Sequence, residues 1–163
     1  MSNIYKKIGY WIFFLIQLMV YSFPLVIPLT TEELTLSSER VVVGKVRKIE
    51  CRWNQEKSLI CTYITLESRQ LLKGENITEV VILEVPGGEV GNKGLKVFAM
   101  PTFFLDEEVL VFLSAKNEIN NFRVVGCYQG KYTIKGSQIK ELGIRSNVFL
   151  DRVKRIIKEQ RKP

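Results

Sequence analysis

The fold of this chain is decided by the stretch Val41-Val42-Val43-Gly44-Lys45-Val46-Arg47-Lys48-Ile49. β-Branched residues dominate it, and from Val42 onward apolar and polar side chains partly alternate, as they do in a strand with one face on a core. Gly44 interrupts the run and is typical of a bulge or a bend. The stretch therefore predicts a long β-strand at the centre of a mainly β protein.

Shorter runs of the same kind follow, separated by turns rich in Gly and Asn. They predict strands over residues 59–66, 80–85, 95–100, 108–113, 122–125, 132–134 and 138–140. Many short strands of this kind are typical of a barrel or a sandwich. The predicted core consists of Val43, Val46, Ile64, Leu66, Val81, Leu83, Val97, Leu110, Phe112, Val125 and Ile134.

A helix is predicted on each side of the strands. Thr30, followed three residues later by Glu33, has the pattern of a capping box that starts a short helix. Residues 146–161 predict a longer, basic helix with an apolar stripe of Phe149, Val153, Ile156 and Ile157. That stripe packs on the strands or lies on an anionic membrane surface; we expect packing, because an isolated helix of this length is marginal in water.

The first 22 residues have the pattern of an export segment. Lys6 and Lys7 precede an uncharged apolar run, as in a signal peptide, and cleavage after Ser22 would follow from this pattern. The alternative is an uncleaved anchor, because residues 8–29 are long enough to span a bilayer. Both interpretations place residues 30–163, taken as a single domain, outside the cytoplasm: periplasmic, secreted or membrane-anchored.

The composition excludes several classes of function. The 163 residues contain no histidine, so a Ser-His-Asp triad, a Cys-His pair and histidine metal ligands are absent. Three cysteines cannot complete a four-cysteine zinc site. The net charge of +7 comes mainly from the C-terminal tail, which does not favour a nucleic-acid-binding surface on the domain body. We therefore predict no cofactor, no metal and no nucleic-acid partner.

The three cysteines lie in two settings. Cys51 and Cys61 flank a polar loop centred on Glu56, and counting outward from that residue places them opposite each other on paired strands. In an oxidising compartment this arrangement predicts a disulfide, whereas a register slip of one residue would separate the two thiols. Cys127 follows Gly126 and is interpreted as a small buried residue, with a catalytic thiol as the alternative.

A glycine-rich loop and an acidic triplet complete the candidate sites. The loop contains Gly87, Gly88, Glu89, Val90 and Gly91. Strands rather than a helix are predicted on either side of it, so a phosphate-binding loop is not favoured. We expect a hairpin turn at a barrel rim, and we take these five residues with Trp53 as the candidate partner-binding rim. Residues 106–108, all acidic, predict a solvated turn rather than a calcium site.

Several motifs resemble, as a set and in order, a group of exported, mostly uncharacterised bacterial β-domain proteins. They are VVVGKV (41–46), Trp53, LLKG (71–74), VPGGEVG (85–91), EEVLVFL (107–113), VVG (124–126) and QGKY (129–132). More distantly, the chain is similar to the netrin-like domain, the OB-type barrel of the tissue inhibitors of metalloproteinases. The resemblance covers roughly residues 31–160 and implies a barrel with a helix at each end. Asp106 stands where the bacterial group usually has Gly.

The resemblance also implies a class of function. The missing catalytic groups, together with a barrel whose rim loops are the usual binding places, lead us to expect an exported, non-enzymatic module that engages another envelope or secreted protein. A protease-inhibitor-like role follows from fold analogy alone. The cysteine that animal inhibitors carry at the mature N-terminus has no counterpart before Cys51, so their zinc-binding device is not expected here. Two alternatives stay open: a structural part of a membrane-anchored envelope assembly, and a thiol enzyme that uses Cys127. Membrane contact would involve residues 8–29 or the basic C-terminal helix.

Overall fold

The computed structural model describes residues 26–75, 79–115 and 121–160. The predicted signal or anchor segment, residues 1–22, lies outside this part of the chain. Within it, no helix has the length and apolar character needed to cross a membrane.

Nine strands and two helices make up the described chain. Seven strands form one antiparallel sheet in the order β3-β2-β1-β6-β7-β8-β9, and β4 and β5 form a separate two-stranded hairpin. Their bounds are α1 (Thr31–Ser37), β1 (Arg40–Trp53), β2 (Ile60–Lys73), β3 (Val80–Pro86), β4 (Gly88–Val90), β5 (Lys93–Leu95), β6 (Glu108–Leu113), a 3₁₀ turn (Cys127–Gly130), β7 (Lys131–Lys135), β8 (Gln138–Ile139), β9 (Ile144–Arg145) and α2 (Ser146–Gln160).

β1 lies between β2 and β6, and its first half is buried on both faces. Val42 and Val46 belong to one apolar cluster, which also contains side chains of β2, β3 and β6 and the rings of Phe103 and Phe122. Val41 and Val43 belong to a second cluster on the opposite face, formed with the two helices. The consecutive valines that open β1 are thus explained by two cores rather than one.

The β1–β2 hairpin is longer than predicted and contains three irregularities in register, one of them between Val43 and Gly44. Gly44 is required by close backbone approach: an ideal Cβ there would lie 2.8 Å from Cγ of Leu66 and closer still to the carbonyl oxygen of Glu67. The predicted bulge or bend at Gly44 is confirmed.

The strands of the main sheet run from β3 to β9 without closing into the barrel that was predicted. Two of the predicted strands are also wrong: residues 96–107 are irregular, and residues 122–125 form only isolated bridges. These bridges join Phe122 to Leu83 of β3 in parallel and Val124 to Leu113 of β6 in antiparallel fashion. Each bridge joins this run to a different strand at a single residue, so neither extends into a ladder.

Both helices form as predicted, and the longer one packs on the sheet. The capping box at Thr30 and Glu33 is present. In α2, the side chains of Phe149, Val153 and Ile157 are buried against Leu110, Phe112 and Ile139 of the sheet. The expectation of packing is therefore confirmed, except that Ile156 is only half-buried because it lies at the margin of the stripe.

Most of the predicted core is correct. Eight of the eleven residues are buried, and the other three, Val97, Val125 and Ile134, are half-buried. Val97 differs because its segment is not a strand in the sheet and instead forms one wall of a groove.

Candidate functional site

A largely apolar groove of about 460 Å³ lies at one end of the sheet. Its floor consists of Ile49 and Cys51 from β1, Thr62 and Ile64 from β2, and Val85 from β3. Residues 86–88 and 95–103 form its walls. We call this recess the groove. Lys96 is the one charged residue among those that line it.

The wall formed by residues 95–103 has no regular secondary structure beyond Leu95 and is held by contacts from the chain around the 3₁₀ turn. The backbone N–H of Tyr128 donates to the carbonyl oxygen of Ala99 at 2.9 Å. The ammonium group of Lys131 donates to the carbonyl oxygen of Thr102 at 2.6 Å and lies 4.9 Å from the ring centroid of Phe103. Phe103 is itself buried in the core. These contacts give the wall a defined position without strand pairing.

Lys131 also forms the most buried ion pair of the described chain. Its Nζ lies 2.7 Å from Oε1 of Glu107, and the two side chains are only 9% and 11% exposed. The same Glu107 oxygen accepts a hydrogen bond from the backbone N–H of Phe104 at 2.9 Å. The pair therefore closes the loop that follows the groove wall and ties it to the start of β7.

At the floor of the groove, the β4–β5 hairpin approaches the main sheet very closely. An ideal Cβ at Gly88 would lie 2.7 Å from Sγ of Cys51 and 2.8 Å from Oγ1 of Thr62, and the φ of Gly88 is +133°. Thr62 donates a hydrogen bond from its hydroxyl to the carbonyl oxygen of Gly87 at 2.7 Å. Glycine is required at position 88 by both the contact and the backbone conformation.

A second recess lies beside the groove and contains Trp53. We call it the Trp53 cavity; its lining consists of Trp53, Ser58, Ile60 and residues 92–95. The ammonium group of Lys93 lies 5.6 Å from the ring centroid of Trp53, within reach of a cation–π interaction. Leu95 lines both recesses, so they adjoin each other across β5.

Three of the six predicted rim residues line these two recesses. Gly87 and Gly88 line the groove, and Trp53 lines the neighbouring cavity. Glu89 and Val90 continue β4, and Gly91 lies in the turn of the β4–β5 hairpin with a φ of +61°. The glycine-rich loop is thus a hairpin between strands.

Sequence reasoning missed the groove wall. Residues 95–103 were interpreted as a strand and an irregular link, but their signal is a cluster of aromatic residues. Phe98 on this wall is 66% exposed, while Phe103 points into the core. Phe104 and Leu105, which follow, are 64% and 62% exposed. These three exposed apolar residues lie within eight positions of one another in the sequence.

The predicted disulfide between Cys51 and Cys61 is wrong, because all three cysteines are free. The hairpin register pairs Cys51 with Thr62 and Cys61 with Arg52, so the two thiols lie on opposite faces of the sheet. Cys51 is exposed, whereas Cys61 is buried, and burial together with the charge of Glu84 raises the pKa of its thiol. The hairpin loop is centred between Glu56 and Lys57 rather than on Glu56, and the resulting one-residue shift in register separates the two thiols.

Cys127 is half-buried at the start of the 3₁₀ turn, with a φ of +57°. Among the described residues, its side chain takes part in no hydrogen bond to a base. No group of three or more His, Cys, Asp and Glu side chains in this part of the chain could hold a metal ion.

The acidic triplet leads from a turn into β6, as predicted, but only Asp106 is exposed, whereas Glu107 and Glu108 are half-buried. Asp106 lies 2.9 Å from Lys45 and 3.4 Å from Arg47, and Glu108 lies 3.1 Å from Arg69. The three carboxylates therefore pair with different cations, Asp106 with two and Glu107 and Glu108 with one each, rather than facing a common centre. Asp106 has a φ of +62°, a backbone conformation that Asp adopts more readily than most residues with a side chain.

Neither a protein-family model nor a curated protein matches this chain.

Proposed function

We propose that this protein is an exported, non-enzymatic binding module that holds a segment of another envelope or secreted protein in the groove. The observation that carries this proposal is the groove itself, an apolar recess whose wall is fixed by Tyr128 and Lys131 and whose rim carries the exposed ring of Phe98. A preformed apolar recess with few polar groups is suited to bind an apolar side chain of a partner.

The proposal includes an OB-type path for the chain. Residues 122–124 hydrogen-bond to β3 on one side and to β6 on the other. The sheet would then close into a small barrel through β1, β2, β3, the segment 122–124 and β6. The groove would lie at one end of this barrel. The apolar cluster that contains Val42, Val46 and Phe122 would then be the barrel interior. Binding at the loops of one end is common for barrels of this type.

Export of the protein is proposed from the signal-like pattern of residues 1–22.

The thiol of Cys51 is free and exposed. In an oxidising compartment outside the cytoplasm it would be open to oxidation or to mixed disulfides. Because Cys51 lies at the floor of the groove, its rate of alkylation should fall when a partner occupies the groove.

Site-specific photo-crosslinking in cells that produce the full chain tests the proposal. A photoreactive residue at Phe98 should give a crosslinked protein, because this ring lies at the groove rim. The matched control is Arg155, which is exposed on α2 away from the groove wall. The proposal is supported by a crosslink from position 98 that is absent from position 155. Val97→Asp should remove this crosslink, because it places a charge in the groove wall. Equal crosslinks from both positions, or none from position 98, would reject it.

A further inference from the structure

β5 pairs on one edge only. Its partner is β4, through Gly88 and Leu95, Glu89 and Gly94, and Val90 and Lys93. Within residues 26–75, 79–115 and 121–160, no strand lies against the other edge of β5. Lys93 and Gly94 are exposed there, and an ideal Cβ at Gly94 would meet only the side chain of Glu89, at 3.5 Å. An open strand edge of this kind presents N–H and C=O groups that can pair with another chain.

This edge runs from one recess into the other. Lys93 at the start of β5 lies over Trp53, and Val97, two residues beyond its end, lines the groove. Leu95, between them, lines both recesses. A chain added along β5 would therefore have the Trp53 cavity at one end and the groove at the other.

The two recesses differ in polarity, but the charged residue that lines each of them is a lysine. The groove is apolar apart from Lys96, and the Trp53 cavity contains the hydroxyl of Ser58, the amide of Asn92 and the ammonium of Lys93. No acidic residue lines either recess, and the hairpin carries one, the exposed Glu89. The surface is complementary to a segment that is apolar at one position and acidic at another.

We propose that the partner binds as an extended segment that adds a strand to the free edge of β5, with an apolar side chain in the groove and an acidic side chain beside Lys93. This inference rests on the proposed function and adds the backbone conformation and side-chain pattern of the partner. Main-chain hydrogen bonds to β5 supply affinity, and the two recesses supply selectivity.

The added strand imposes a parity on the partner. Successive side chains of a strand point to opposite faces, so both recesses are reached from one face only when the apolar and acidic residues are an even number of positions apart. An odd separation turns one of the two side chains away from the protein.

Binding of synthetic nonapeptides to the full chain, followed by fluorescence anisotropy, measures this parity. One Phe and one Glu are placed in a Ser/Thr background, two, three, four or five positions apart. Peptides with separations of two or four should bind about threefold more tightly than those with three or five, from the contact with Lys93. Lys93→Gln should remove this difference, whereas Lys154→Gln on α2 should keep it.

N-methylation of single peptide amides tests the backbone pairing. In an added strand every second N–H faces β5, so methylation at alternate positions should weaken binding about fivefold or more, while the positions between should have little effect. Uniform effects along the peptide, or equal binding at odd and even separations, would overturn the inference. A dimer of the full chain that the peptides dissociate would overturn it in favour of self-pairing.

The two proposals fail in different ways. Peptides that bind and protect Cys51 from alkylation without any parity would reject the added strand and retain the groove. Absence of peptide binding, together with absence of a crosslink from position 98, would reject both.

Discussion

The ammonium group of Lys131 lies 2.7 Å from the carboxylate of Glu107, with both side chains nearly buried, and the same ammonium donates to the Thr102 carbonyl. This pair joins the start of β7 to the loop behind the groove wall. A buried pair of this kind contributes little net stability relative to apolar residues, but removing one partner leaves an uncompensated charge.

Lys131→Met should therefore lower the free energy of unfolding by about 3–5 kcal/mol. Glu107→Gln in the same background should restore part of the loss, because the unpaired carboxylate is then neutral. Urea denaturation of the single and double variants measures both effects. A loss below about 1 kcal/mol in the single variant would contradict a buried pair.

Packing of α2 on the sheet predicts the effects of two substitutions in the helix. Phe149 is 1% exposed and contacts the ring of Tyr132, with ring centroids 4.7 Å apart. Phe149→Ala should cost about 3–5 kcal/mol of unfolding free energy. Lys154→Gln, on the exposed face of the same helix, is the control and should change stability by less than about 0.5 kcal/mol. Similar melting temperatures for the two variants would contradict the packing.

Gly44 should not tolerate a side chain. Gly44→Ala places a methyl group against the backbone of Glu67 and against Leu66, so we expect destabilisation of about 1–3 kcal/mol from overpacking. Gly94→Ala is the matched control, because its Cβ meets only the flexible side chain of Glu89. Thermal unfolding of both variants gives the comparison, and a Gly44→Ala protein as stable as the control would refute the close approach.

The cysteines should react as separate free thiols. Without a reductant or denaturant, iodoacetamide should modify Cys51, which is exposed, much faster than Cys61, which is 0% exposed and has a raised thiol pKa. Mass spectrometry of proteolytic fragments identifies the modified positions. Recovery of a fragment in which Cys51 and Cys61 are bridged would contradict the register of the hairpin.

Stability should depend on the charge of Asp106 at acid pH. The hydrogen bond and the charge of Lys45 lower the pKa of this carboxyl. Because the folded pKa is below the unfolded one, the contribution is complete above the unfolded value of about 3.9 and is lost as the pH falls through the folded value. Asp106→Asn keeps a residue that accepts positive φ and should show a shallower loss of stability below about pH 4. Equal acid slopes for the two proteins would exclude this contribution.

β1 and the two helices could be predicted from the sequence, because the patterns that specify them are local. Alternation and β-branching predicted β1, the pattern of Thr30 and Glu33 predicted the start of α1, and the spacing of Phe149, Val153 and Ile157 predicted the buried face of α2. Each of these signals depends on residues a few positions apart, for which backbone geometry fixes the side-chain direction.

The register, the open course of the main sheet and the groove were decided by the tertiary structure. A shift of one residue in the hairpin moved Cys51 and Cys61 to opposite faces, and no local signal specifies a register to that accuracy. The segment 95–103 has the composition of a strand, but Tyr128 and Lys131, far along the chain, hold it as an irregular wall. The sequence by itself determined the two helices and most strands of the main sheet. Contacts between distant residues decided where the free edge of β5, the groove and Trp53 meet, because hydrogen bonds and packing across the fold outweigh local preference.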